Sequence, residues 1–140
     1  MQEQNFKNHG RFVPGFHIAT TLLILGAIIT AVMLIVSAGF NTTTIFCLFV
    51  AVALLLLFWY TRSFATGNQD RVIRAEENLR VHRLTGKTMD SRLTKSQIIA
   101  LRFADDSEYA ELSERAIKEN LTSKQIKEAI TQWKADHHRI

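Results

Sequence analysis

With 140 residues, 47% apolar side chains and a net charge of +4, the chain has room for one or two small folded units and excludes a large enzyme core. Its lone cysteine, Cys47, excludes an intramolecular disulfide framework. The charges avoid one stretch altogether, because Phe12 through Thr61 holds no Lys, Arg, Asp or Glu, and a gap of that length reads as embedded in a membrane.

Residues 1–15 form a short N-terminal flank carrying Lys7 and Arg11. Residues 16–65 then hold two apolar runs, Ile18 to Ala38 and Ile45 to Tyr60, and the spans are placed near 18–38 and 43–64. At about 1.5 Å rise per residue, roughly 20 helical residues cross a hydrocarbon core of about 30 Å. Both runs must be helical, since lipid offers no hydrogen-bond partner to an open backbone. Gly39-Phe40-Asn41-Thr42 supplies a tight turn, so the two helices form an antiparallel hairpin. Cationic residues flank the hairpin (Lys7 and Arg11 before it, Arg62, Arg71 and Arg74 after it) and are missing from the turn, which puts both termini on the cytoplasmic side. Phe16 with His17, and Trp59 with Tyr60, fall at that same interface.

A cleaved signal peptide is the rival reading, since Val36-Ser37-Ala38 has small residues after an apolar stretch. Against it, the run exceeds the usual h-region and a second apolar segment follows at once. Within the spans Gly26 with Thr30, and Ala27 with Ala31, are small-xxx-small pairs that permit close helix approach to a second copy or another membrane protein. The alternative is that Gly and Ala are simply common in spans. Only hydroxyls (Thr20, Thr21, Thr30, Ser37) interrupt the apolar surface of the first span, which argues against transport by this chain alone.

Residues 66–92 are expected to form a basic juxtamembrane helix and connector. Gln69 to Leu84 lacks Gly and Pro and carries Val72, Ile73, Leu79 and Leu84, so it reads as helix. Gly67-Asn68 suggests a kink where the chain leaves the membrane, and Thr85 to Ser91 a connector. Residues 62–102 hold nine basic and four acidic side chains, against two and six in 103–119 and four and two in 120–140. The basic block therefore lies beside the membrane, where anionic lipids attract Lys and Arg. Arg62, Arg71, Arg74, Arg80 and Arg83 are the candidate contacts to lipid or to a partner protein. The alternative is a solvated face with i,i+4 pairs, Asp70 with Arg74 and Glu76 with Arg80.

Residues 93–140 are read as a cytoplasmic helical tail. An internal echo, Leu93-Thr94-Lys95-Ser96-Gln97-Ile98 and Leu121-Thr122-Ser123-Lys124-Gln125-Ile126, specifies two helix starts. In each, Thr caps, Gln reaches back three residues later, and Leu and Ile close as a staple. A third start falls near Asp105 to Ser107, with Glu108 and Glu111 suited to the positive helix end. Apolar stripes follow: Ile98, Leu101 and Phe103; Tyr109, Leu112, Ala116 and Ile117; Ile126, Ile130 and Trp133. Trp133 reads as a core anchor in preference to a recognition residue. The expected fold is all-α: a transmembrane hairpin, a juxtamembrane helix and a small three-helix unit.

Catalytic motifs do not survive inspection. Thr85-Gly86-Lys87-Thr88 ends like a phosphate-binding loop, but Val81 stands where the first glycine belongs and the approach is helical. Asp136-His137-His138 lacks the further ligands a metal needs, and adjacent His side chains diverge on a helix. His17 and His82 are isolated, and no Ser or Cys has partners for a nucleophilic site. The reading assigns no catalytic, cofactor-binding or metal-binding residue and expects no enzyme.

Arg11-Phe12-Val13-Pro14, the stretch Gln69-Asp70-Arg71-Val72-Ile73-Arg74-Ala75-Glu76-Glu77-Asn78-Leu79-Arg80, the stretch Gln97-Ile98-Ile99-Ala100-Leu101-Arg102-Phe103-Ala104, and Lys127 to Trp133 together resemble a family of small bacterial two-span inner-membrane proteins of unknown function. The likeness runs from Arg11 to about Asp136. It implies a bacterial source and the same topology, with no activity attached, and it departs at His137 and His138, where aromatic or apolar residues are expected. The functional expectation is a membrane-anchored interaction or scaffolding module in the inner membrane, touching anionic lipids and an unidentified protein, itself included. Two alternatives stand beside it: a membrane-tethered nucleic-acid binder using Lys124, Lys127 and Lys134, against which the acidic middle helix argues, and a small accessory subunit of a transporter or membrane enzyme complex.

Overall fold

A computed structural model describes residues 4–137. It is all-helical, with two long apolar helices followed by shorter ones. The chain divides into two compact units, residues 11–65 and residues 1–10 with 66–140.

In residues 11–65, a wider-wound turn (Gly15–Thr20) leads directly into α1 (Thr21–Ala38), and α2 (Thr42–Thr85) begins after the break. The wide turn adds most of a turn before the expected start at residue 18. Gly39 ends α1 at φ 69°, a conformation that costs glycine little. Asn41 then caps α2: its Oδ1 accepts from the backbone N–H groups of Thr43 (3.0 Å) and Thr44 (3.1 Å), while the Thr44 hydroxyl donates to Gly39 O at 3.0 Å. The ends of both helices are thereby satisfied where Thr44 is buried. Ile24, Ala31 and Ala51 are the buried apolar residues of this unit, and Phe16 stacks on Phe58 with centroids 4.8 Å apart. Large apolar side chains cover the rest of both helices and face outward, Leu23 at 74% and Phe49 at 69% exposure among them. By length and composition the helices Gly15–Ala38 and Thr42–Thr85 are able to cross a membrane, with mean hydropathies of 2.6 and 2.4 over their most apolar windows.

α2 continues as helix through Gly67-Asn68 to Thr85. Gly67 is exposed and the helix tolerates it, since a helical glycine costs only about 1 kcal/mol against alanine. The helix stops at Gly86, whose φ of 70° and N–H to His82 O bond (2.8 Å) close the last turn.

In the second unit α3 (Lys95–Leu101), α4 (Asp106–Lys118) and α5 (Ser123–Ala129) follow. Thr94 and Thr122 each form a complete capping box with Gln97 and Gln125, and Asp105 caps α4 by accepting from Ser107 N–H. The core gathers Leu93, Ile98, Leu101, Tyr109, Leu112, Ala116, Leu121 and Ile126, with Val81 and Met89 packed against them. Three side chains expected on helical stripes lie outside helices, the first being Ile130, which directly follows α5 in extended conformation. Phe103 follows the end of α3, and Trp133 sits four residues beyond α5, in an extended segment paired antiparallel with Ala104. Asp105 N–H donates to Gln132 O (3.0 Å) and Lys134 N–H to Phe103 O (2.7 Å). Glu108 explains the departure, because its carboxylate accepts from Thr131 N–H (3.1 Å), Thr131 Oγ1 (2.6 Å) and Gln132 N–H (3.0 Å). Those backbone donors are therefore held by a side chain, and a continued helix would need them elsewhere.

Candidate functional site

The helix that carries the candidate arginines presents them in different directions. At about 100° per residue Arg71 and Arg74 lie roughly 60° apart, while Arg83 lies about 120° from the first and 180° from the second. They form no single stripe.

Arg80 is turned inward and only 6% exposed. Its Nε donates to Asp106 Oδ1 at 2.6 Å, Nη1 to Glu77 Oε2 at 3.2 Å, and Nη2 to the carbonyl oxygen of Ala104 at 2.6 Å. Its guanidinium also lies 4.6 Å above the centroid of the Tyr109 ring. The sequence expectation placed Arg80 on a lipid- or partner-facing surface, and the alternative paired it with Glu76 on a solvated face. The structure instead engages it inside the fold with Glu77, one position on, which lies on the same buried face as Ile73. Arg80 therefore ties α2 to the N-terminus of α4. Burial pushes the Glu77 carboxyl above its ordinary range, against the opposing pull of Arg80. Burial likewise raises the Tyr109 phenol, helped by the nearby Glu77 charge.

Around this buried centre lies a more exposed charged rim. Arg83 reaches Asp106 at 3.3 Å and Lys134 approaches the same carboxylate at 3.9 Å, while Asp70 pairs with Lys95 at 3.0 Å and not with Arg74. Ile73, Leu79, Arg83, Arg102, Lys134 and Asp136 line a shallow groove of about 540 Å³. Its walls carry both signs of charge and the apolar side chains of Ile73, Leu79 and Ala135. Arg71 and Arg74 are exposed and make no ion pair among the described residues, whereas Arg62 is half-buried. Of the five candidate arginines, these exposures leave Arg71, Arg74 and the outer edge of Arg83 open to a partner or a charged surface.

The helix-packing candidates split likewise. Ala31 is buried and Ala27 half-buried, on the side of α1 that also buries Ile24, while Gly26 and Thr30 face outward. The lysines of the nucleic-acid alternative all have partners: Lys124 meets Glu128 at 3.8 Å, Lys127 meets His9 at 3.0 Å, and Lys134 approaches Asp106. His138 lies outside the described residues, and among those described no three His, Cys, Asp or Glu side chains are grouped to hold a metal.

Sequence reasoning missed the N-terminal segment. Treated above as a flank, residues 4–9 pack onto the far end of the chain. Gln4 Oε1 accepts from Asp136 N–H (2.8 Å) and Trp133 Nε1 (3.5 Å), and its Nε2 donates to Asp136 O (3.0 Å). The His9 ring lies 5.5 Å from Phe103 and 5.7 Å from Trp133, which stack on each other at 4.6 Å. No short-range pattern announces contacts between residues some 130 positions apart.

The chain belongs to a family of unknown function, DUF6526, whose profile spans residues 1–140. Neither a curated protein nor a solved structure matches it.

Proposed function

We propose that this protein is a two-span integral protein of a bacterial inner membrane, with both termini cytoplasmic, and that residues 66–137 with the N-terminal segment form an anchored interaction module. The observation that carries the reading is the bareness of the two apolar helices: only 11% of each apolar window is buried within the protein. A core helix of a soluble protein would be covered by its own chain. Here roughly 20 residues of each helix offer Leu, Ile, Val and Phe outward, and lipid is the solvent that suits such a surface.

The N-terminal contacts support the topology independently. Residues 4–9 precede the first apolar helix and pack with residues that follow the second. Two segments of one compact unit share one side of a membrane, which requires an even number of crossings between them. Cleavage after Ala38 would discard the same segment from its fold, so the signal-peptide reading loses ground. The cationic flanks then select the cytoplasmic side.

The module's role is docking. Arg71 and Arg74 are exposed and unpaired among the described residues, and the groove beside Arg83 carries apolar and charged walls. These features suit anionic headgroups and a charged protein segment better than a nucleic acid, whose three candidate lysines are already held by the module itself. Alkaline carbonate extraction is the first test: the protein is expected to stay in the membrane pellet, and release into the wash overturns the reading. Cross-linking through positions 71 and 74 in native membranes, followed by mass spectrometry, is expected to recover a defined partner or lipid adduct that Arg71→Glu/Arg74→Glu loses.

A further inference from the structure

After its apolar window, α2 from residue 66 to 85 divides its faces between the tail unit and solvent. In heptads abcdefg with Val72 at a, the tail unit covers the b, c and f side. Ile73, Glu77 and Arg80 are buried, Val81 packs on the core, and Asp70 pairs with Lys95 at 3.0 Å. Arg74, at c, is the exception and is exposed. The opposite face is bare. Its a and d positions are Asn68, Val72, Ala75, Leu79 and His82, all exposed, with Val72 at 55% and Leu79 at 69%. Two large apolar side chains one heptad apart, with an alanine between them, make a seam of the coiled-coil kind.

We propose that this bare face is where two copies of the chain meet, as a short parallel coiled coil centred on Val72, Ala75 and Leu79. The inference rests on the reading of residues 66–137 as a membrane-anchored module, because copies anchored alike send this stretch out in the same direction and so pair in parallel. Parallel pairing fixes the flanks, since each g position faces the e position of the partner's next heptad. Here g is Arg71 and e is Glu76, of opposite charge, and a two-fold axis forms the pair twice. Both side chains are exposed, and neither makes an ion pair among the described residues. The following g and e positions are Asn78 and Arg83, so no like charges oppose each other there. Charge thereby selects the occupant. A second copy matches both flanks of the seam at once, whereas an anionic headgroup or an acidic peptide drawn to Arg71 meets Glu76 beside it.

The seam is short. From Val72 to Leu79 it runs about 10 Å at 1.5 Å rise per residue, and polar Asn68 and His82 close it at either end. A free peptide of that size would not hold together on so few apolar contacts. Anchoring changes the balance, because two copies confined to one bilayer meet at effective concentrations on the order of millimolar, as tethered modules do. The helix is also formed beforehand, its other face being held by the tail unit, so pairing costs little ordering of the backbone.

The test is oxidative cross-linking of single cysteines in the full chain, in native membranes and a Cys47→Ser background. Val72→Cys and Leu79→Cys, on the seam, are expected to form disulfide-linked dimers several-fold faster than Arg74→Cys and Glu111→Cys, both exposed away from it. With Leu79→Cys as the reporter, Arg71→Glu and Glu76→Arg are each expected to slow cross-linking several-fold by setting like charges against each other. The two together are expected to restore it. A single reversal also alters contacts with lipid or with another protein, but only pairing between copies is repaired by the swap. Equal rates at positions 72, 74 and 79 overturn the proposal, as does a double swap no faster than the single reversals. Carbonate extraction of the same membranes separates this failure from that of the anchoring. Protein that stays in the pellet yet does not cross-link at the seam sinks the dimer alone, and protein released into the wash sinks both.

Discussion

Arg80 shows why residue type alone does not give residue role. Its sequence neighbours Arg74 and Arg83 carry the same side chain on the same helix, yet only Arg80 lies on the face that Ile73 and Glu77 bury. A guanidinium offers five donors in a fixed fork, and here three acceptors surround it. Removing it leaves Glu77 buried without its cation, a situation that costs about 3–5 kcal/mol in comparable buried pairs. Arg80→Met is therefore expected to lower stability by that amount in denaturant titration, whereas Arg74→Ala changes it by less than about 0.5 kcal/mol. Glu77→Gln added to Arg80→Met is expected to recover part of the loss, because the uncompensated charge is gone. The pH dependence has a definite sign. A carboxyl raised above 4.5 on folding binds more protons in the native than in the unfolded state, so its contribution to stability falls as pH rises from about 4.5 through the raised value. Without Arg80 that fall is expected to steepen, and a flat profile in Arg80→Met would contradict the burial of Glu77. None of this was legible beforehand, because the i,i+4 rule favours Glu76 and only the packed partner helix decides between positions 76 and 77.

At the scale of elements, caps were legible and extensions were not. The two echoed starts act locally: each Thr–Gln box closes within four residues, so the sequence contains all its partners. Identical motifs nevertheless carry different weight. Gln97 is buried, and its Nε2 donates to Ala116 O (3.1 Å) and Leu121 O (3.0 Å) across the core, while Gln125 is exposed. Gln97→Ala takes a donor from two buried carbonyl groups, of which Ala116 O keeps Leu121 N–H (3.0 Å), and also loses its cap; it is expected to cost about 2–4 kcal/mol, against roughly 1 kcal/mol or less for Gln125→Ala, by thermal or denaturant unfolding. Equal losses would mean the core contacts of Gln97 contribute nothing. The end of α5 is the opposite case, since Glu108 ends it from another helix. Desolvation raises the Glu108 carboxyl, but the hydrogen bonds from Thr131 and Gln132 outweigh it and hold the group below 4.5. Stability from a lowered carboxyl is present above its unfolded value and is lost as pH falls through the folded one. Protection of the Thr131 and Gln132 amides against hydrogen exchange, taken relative to their intrinsic rates, is accordingly expected to fall below about pH 4.5, and to be low at all pH values in Glu108→Ala.

For the whole molecule, the sequence announces the apolar hairpin and hides what joins its two ends. A fifty-residue stretch without charge, broken by Gly39 and Asn41, is readable because solvation acts on every residue of it separately. The closure of residues 4–9 on Phe103, Trp133 and Asp136 depends on partners that lie some 90 to 130 positions away in the chain. That closure makes the topology testable without locating a partner. If the flanks share one compact unit, a single cysteine at Asn5 and one at His137, each in a Cys47→Ser background, must react with a membrane-impermeant thiol reagent from the same face, which in the topology proposed above is the cytoplasmic one. A cysteine at Phe40, in the exposed turn, must react from the opposite face. The expected pattern in intact cells is labelling at position 40 alone, with positions 5 and 137 labelled only after the membrane is opened. Because the three sites are read against each other, poor insertion does not mimic the outcome: a misfolded chain labels all three or none. Labelling of position 5 together with 40 would place the N-terminal segment across the membrane from Trp133 and break the unit that contains both.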